Sequence, residues 1–197
     1  MADELLSALP APEIQRPRTL VVGTILAIVA SGMFFAGLFG IYLHERRLAL
    51  AAGDQWLKKN QISLVPGGMM MVTAAMSVVT VLWAVQAIGN DDRKNAYVAL
   101  ALTMLFGVAN LNQQAFYYHD MKLVLQGSVA QLLIYVISGA QVAMLIAAIV
   151  FVGLSAFRAL GGQYSSRQAD GVQAAAYFWT ATMVIYMLVY YGIYVTK

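Results

Sequence analysis

The chain has 197 residues, of which 61% are hydrophobic and only 11% are charged, and its formal net charge is +3. It contains no cysteine, which excludes disulfides, thiolate catalysis, iron–sulfur clusters and cysteine-bound zinc. A small positive charge on so apolar a chain favours contact with lipid headgroups and argues against a nucleic-acid partner.

Five stretches of the chain contain no Asp, Glu, Lys or Arg, and each is long enough to cross a bilayer. A hydrocarbon layer of about 30 Å is spanned by about 20 helical residues, and only a helix satisfies the backbone within one segment. We expect helices at about residues 19–43, 63–89, 96–119, 127–158 and 171–196, after an N-terminal tail over residues 1–18. The tail lacks the apolar core of a signal peptide, so the first helix is expected to direct insertion. The predicted fold is an all-α, polytopic, five-helix transmembrane bundle that leaves no room for a soluble catalytic domain.

The first helix carries small residues at intervals of four, namely Gly32, Ala36 and Gly40. Small residues at this spacing allow a neighbouring helix to approach closely in a membrane. Two interpretations stay open at this point. The stripe packs within the chain's own bundle, or it docks against a different subunit.

The third helix contains four amide side chains within five residues, Asn110, Asn112, Gln113 and Gln114. Amides are costly in lipid unless they face a protein interior or a partner. We therefore expect Asn112 and Gln114 to make interhelical or partner contacts. A ligand-binding or water-lined site is the alternative.

Only two histidines are present, and each stands beside a carboxylate, as His44-Glu45 and His119-Asp120. Helices one and three run in the same direction, so these four residues lie at one membrane face. They are candidates for a metal site, although their spacing matches no ligand signature; solvated interfacial side chains are the alternative reading. No helix contains a lysine for a retinal Schiff base or a carboxylate for a proton relay, which indicates that the chain transports nothing by itself.

The segment Met33-Phe34-Phe35-Ala36-Gly37-Leu38-Phe39 with Tyr42 resembles the first helix of haem-copper oxidase subunit III, in its short, five-helix bacterial form. The resemblance continues over roughly residues 19–197 and is weakest in helix two. The supporting segments are Met104–Gly107, Tyr135 with Ser138 and Gly139, Arg158, Tyr177–Trp179 and Ile193–Val195.

Every ionisable group that the resembled family keeps within the membrane is neutral here. The positions that correspond to its carboxylates and histidines are Ser31, Gln114, Gln141, Met144, Thr180 and Met183. The resemblance thus implies the family's packing and lipid-binding roles for this chain, whereas the neutral positions put its proton-related role in question.

The resemblance implies a structural or accessory subunit of a respiratory cytochrome c or quinol oxidase, not an enzyme by itself. Haem and copper would lie on partner subunits. This chain would bind structural phospholipids but no cofactor. The expected partners are the catalytic subunit I, other membrane subunits and lipids. The expected location is the bacterial plasma membrane, with the N-terminus cytoplasmic and the C-terminus external. The alternatives are an accessory or assembly protein of a nitric oxide reductase-type oxidoreductase, or a membrane metalloenzyme subunit using the two His–carboxylate pairs.

Overall fold

The computed structural model describes residues 18–57, 64–121, 128–164 and 169–195. Within these ranges the chain forms helices α1 (Thr19–Ala51), α2 (Leu64–Gly89), α3 (Arg93–Met121), α4 (Val129–Leu160) and α5 (Asp170–Val189), followed by a π-helical segment over Tyr190–Val195. All five helices are long and apolar enough to cross a membrane. The prediction of an all-α, five-helix membrane protein is confirmed.

The helix boundaries differ from the expected ones where charged residues continue a helix beyond the hydrocarbon layer. Helix α1 runs on to Ala51, past the expected end at residue 43, and α3 begins at Arg93 and not at residue 96. Charged residues mark the point where a helix leaves the hydrocarbon layer. The backbone hydrogen bonds of the helix nevertheless continue beyond that point into the headgroup region. The expected boundaries at residues 63, 127 and 196, and tail residues 1–17, lie outside the described residues.

Four of the helices form a ring in which α2 packs on α3, α3 on α4, α4 on α5, and α5 on α2. Helix α1 lies outside this ring and packs on α5 and α4. The joint between α2 and α3 is short because Asp91 takes a left-handed conformation (φ 56°), which Asp tolerates better than most residues. The Asp92 carboxylate then accepts a hydrogen bond from the Asn95 backbone N–H at 3.2 Å, which caps the start of α3.

The centre of the ring is organised around Trp179 of α5, which is fully buried. Its indole N–H donates to the Ser77 hydroxyl of α2 at 3.0 Å. Its ring edge lies against Gly107 of α3, where an added Cβ would be 2.5 Å from Trp179 Cη2. Because lipid tails are as apolar as the side chains, such close packing and interhelical hydrogen bonding, rather than hydrophobic exclusion, stabilise the bundle.

Helix α1 is attached mainly through aromatic side chains. Phe35 and Tyr42 are buried, and a Cβ at Gly192 in the π-helical segment would lie 2.7 Å from the Phe39 ring. Beyond the end of α1, the chain turns back so that the Trp56 indole donates to the Tyr42 hydroxyl at 3.1 Å. Most of the remaining circumference of α1 is uncovered.

Candidate functional site

The uncovered side of α1 carries the stripe of small residues Gly32, Ala36 and Gly40. Gly32 is half-buried, and Ala36 and Gly40 are exposed. A Cβ built at Gly32 or Gly40 would meet no other atom within 4 Å. In the part of the chain that the structure describes, the stripe therefore has no helix packed on it.

A groove lies beside α1, on a different side of that helix from the stripe. It is bounded by α1, α4 and α5 and has a volume of about 520 Å³. Its lining is almost entirely apolar and consists of Thr19, Leu20, Gly23, Thr24, Ala27, Ala147, Phe151 and Phe178. Arg18 directly precedes Thr19 of this lining, and its Nε is 3.7 Å from the Asp170 carboxylate. An apolar groove next to an arginine has the chemistry to hold an acyl chain below an anionic headgroup.

The interior of the bundle holds amide side chains from α3 and α4 that hydrogen-bond to α5. The Asn110 amide donates to the Met183 sulfur at 3.9 Å, and the Gln141 amide donates to the Thr182 carbonyl at 2.9 Å. The Gln114 amide, for which an interhelical or partner contact was expected, donates to Tyr118 of its own helix at 3.4 Å.

Asn112 lies on the opposite side of α3 from these buried amides. Its side chain is exposed, although Asn110 and Gln114 on either side of it are buried. Successive residues of an α-helix are about 100° apart around the axis, so residues separated by two positions point in nearly opposite directions. Asn112 therefore faces outward from the bundle.

The positions that the resemblance aligned with ionisable residues lie mostly in the interior. Gln114, Gln141, Met144 and Met183 are buried. Thr180 and Ser31 are half-buried, and the Ser31 hydroxyl donates to the Ala27 carbonyl of its own helix at 2.8 Å. Across the described ranges, no Asp, Glu, His, Lys or Arg side chain is buried, and the buried ionisable side chains there are tyrosines, among them Tyr42, Tyr117 and Tyr186.

The structure does not assemble the two His–carboxylate pairs into a metal site. Among the described residues there is no group of three or more His, Asp or Glu side chains arranged to hold an ion. His44 is exposed and lies about 200° around α1 from the buried Tyr42, so it points away from the bundle. His119 is also exposed, on a helix that belongs to the ring and not to the side on which α1 packs. The metalloenzyme alternative therefore has no geometric support at these residues.

Several interhelical hydrogen bonds were not foreseen from the sequence. The Thr103 hydroxyl of α3 donates to the Thr80 hydroxyl of α2 at 2.9 Å, and the Tyr97 hydroxyl of α3 donates to the Ala159 carbonyl of α4 at 3.1 Å. The signal for the first was a hydroxyl residue near the middle of each of two consecutive helices, which is typical of interhelical hydrogen bonding in membranes.

Comparison with known proteins assigns the family. The family model for cytochrome c oxidase subunit III matches residues 13–197. Cytochrome c oxidase subunit 3 of Coturnix japonica is 29% identical over 187 residues, covering 93% of this chain and 71% of the relative. The corresponding proteins of Struthio camelus and Gallus gallus are 28% identical with the same coverage. An all-helical bundle with five membrane-spanning helices, matched by this family over nearly its whole length, belongs to the cytochrome c oxidase subunit III family.

Proposed function

We propose that this chain is the non-catalytic subunit III of a bacterial haem-copper oxidase, that it packs against the catalytic subunit, and that it binds structural phospholipid. Haem and copper belong to the partner subunits in this proposal. The N-terminus lies in the cytoplasm and the C-terminus outside the plasma membrane. The observation that carries the proposal is the family match over residues 13–197. It is supported by the lack of a buried Asp, Glu, His, Lys or Arg side chain among the described residues.

The stripe of Gly32, Ala36 and Gly40 is the proposed surface for close approach of a helix from the complex. It supports this role because no helix of the chain's own described bundle covers it. Without side chains larger than a methyl group, two helix backbones approach closely enough to gain dispersion contacts along their length.

Substitution of Ala36 by leucine tests this surface. The larger side chain stands in the path of the approaching helix, and overpacking of this kind costs about 1–3 kcal/mol. We expect the ratio of haem to tagged chain, measured after purification in mild detergent, to fall in the variant while membrane insertion is unchanged.

The matched control is Ala30→Leu, which makes the same change on an exposed position of α1, about 120° around the helix from Ala36. It should keep the wild-type haem ratio. An Ala36→Leu variant that retains as much haem as Ala30→Leu contradicts the role of the stripe. Wild-type chain that is recovered without any haem-bearing subunit, or with one of the nitric oxide reductase type, overturns the proposed function itself.

The groove beside α1 is the proposed lipid site. Its apolar lining suits an acyl chain, and Arg18, which is 71% exposed, has the freedom to reach a phosphate headgroup. The groove lies along the first turns of α1 and beside the N-terminal half of α5. In the proposed topology, its lipid therefore belongs to the cytoplasmic leaflet.

A further inference from the structure

Between Ala96 and Tyr118, every exposed residue of α3 except Asn112 is apolar. The exposed side chains of Val98, Leu105, Val108 and Phe116 lie at helical spacing with the exposed Asn112, so all five share one side of the helix. Together they define the Asn112 face. No side-chain hydrogen bond joins Asn112 to any other residue in the ranges that the structure describes.

Asn112 lies at a depth that water and headgroups do not reach. The charged residues that flank the lipid-embedded part of α3 are Lys94 and Asp120, which puts the middle of that part near residue 107. At 1.5 Å per residue, Asn112 is about 8 Å from the middle, well inside the hydrocarbon half-thickness of about 15 Å. An amide held there without a hydrogen-bonding partner is unfavourable.

We propose that the Asn112 face docks on a transmembrane helix of the haem-bearing oxidase subunit, and that the Asn112 amide hydrogen-bonds to a polar group of that helix. The inference rests on the proposed function, because it names the surface through which the chain meets its partner. The Asn112 face is a second contact surface, separate from the small-residue stripe of α1.

The depth of Asn112 selects this class of partner. An acyl chain has neither donor nor acceptor, and a soluble protein does not reach 8 Å from the bilayer middle. Only a membrane-spanning segment that carries its own polar group satisfies the amide there. Membership of the subunit III family places other oxidase subunits in contact with this chain. The Asn112 face and the α1 stripe lie on different sides of the bundle, because α1 packs on α4 and α5 whereas α3 packs on α2 and α4.

The first test is Asn112→Leu, which removes the amide and keeps the size of the side chain. Membrane-embedded interhelical hydrogen bonds contribute about 0.6–2 kcal/mol, which corresponds to association that is weaker by about 3- to 30-fold. We expect the detergent concentration that releases the chain from the haem-bearing subunit to fall accordingly. The yield of the inserted chain should stay at the wild-type level or rise, since a polar group has been removed from lipid.

The matched control is Gln86→Leu, which changes an exposed amide near the end of α2 and should leave the association unchanged. An Asn112→Leu complex that dissociates like the wild type overturns the inference. Because the wild-type complex is intact in that outcome, it leaves the proposed function standing. Failure of the proposed function is instead recognised by a wild-type chain that carries no haem-bearing subunit.

Photocrosslinking identifies the occupant directly. Leu105→p-benzoylphenylalanine, incorporated during synthesis of the chain, puts a photoreactive side chain on the Asn112 face of the intact complex. Leu154→p-benzoylphenylalanine, on the exposed side of α4, is the control. A covalent adduct with the haem-bearing subunit from the Leu105 variant but not from the Leu154 variant supports the proposal. An adduct with a second copy of this chain, or with lipid alone, overturns it.

Discussion

Close packing between Trp179 and Gly107 makes a quantitative prediction about the stability of the bundle. In Gly107→Ala the new methyl group would lie 2.5 Å from Trp179 Cη2, 3.3 Å from its Cζ2 and 3.1 Å from Ile149 Cγ1. The Trp179 indole is fully buried and is fixed to Ser77, so it cannot move aside freely. Overpacking costs about 1–3 kcal/mol, and removal of a helix-interior glycine returns about 0.5–1 kcal/mol.

The matched control is Gly139→Ala in α4, where an added Cβ meets no other atom within 4 Å. That variant gains the lower backbone entropy of alanine without any steric overlap, so it should be as stable as the wild type or slightly more stable. The difference between the two variants isolates the packing term, which we expect to be about 1–3 kcal/mol. Unfolding of the purified chain in detergent by titration with sodium dodecyl sulfate, followed by tryptophan fluorescence, measures it. Equal stability of Gly107→Ala and Gly139→Ala would refute the argument that α3 and α5 are in close contact there.

Two further predictions concern the interior hydroxyl pair and the lipid groove. In a double-mutant cycle with Thr80→Val and Thr103→Val, the same unfolding assay should give a coupling of about 0.6 kcal/mol, because these two hydroxyls are hydrogen-bonded at 2.9 Å; a coupling of zero would show that they act independently. Ala27→Phe should fill the groove and reduce the number of phospholipids retained in native mass spectrometry. Ala30→Phe, outside the groove lining, should retain them, and equal retention by the two variants counts against the lipid site.

The number and order of the helices follow from the sequence because a charge-free stretch of spanning length has few alternatives in lipid. Their ends do not follow, because a helix continues into the headgroup region, as α1 does to Ala51. The sequence also does not predict which residues contact each other across the bundle. The bond between Trp179 and Ser77 joins residues 102 positions apart, and nothing in the spacing within either helix specifies it.

The candidate surfaces show that residue spacing alone does not predict which side of a helix is buried. Gly32 and Gly40 have the same spacing whether they pack inside the chain or against a partner, and only the position of α1 outside the ring shows that they are uncovered. Asn110 and Asn112 are adjacent members of one polar cluster, yet the first is buried and the second is exposed. Their difference depends on how α3 is rotated against its neighbours, which no local pattern records.

The position of α5 has a consequence for the biogenesis of this protein. Helix α5 contacts α1, α2 and α4, yet it follows all of them along the chain. During translation, α1 is made before α2, α3 and α4, so it stays in the bilayer without its principal neighbour until α5 has been synthesised. Helix α1 is apolar and mostly uncovered by the rest of the described bundle, so it is stable in lipid during that interval. The ring of helices closes only when α5 is inserted. A nascent chain released before that point lacks the helix that contacts α1, α2 and α4, and its bundle stays incomplete and exposed to membrane proteases.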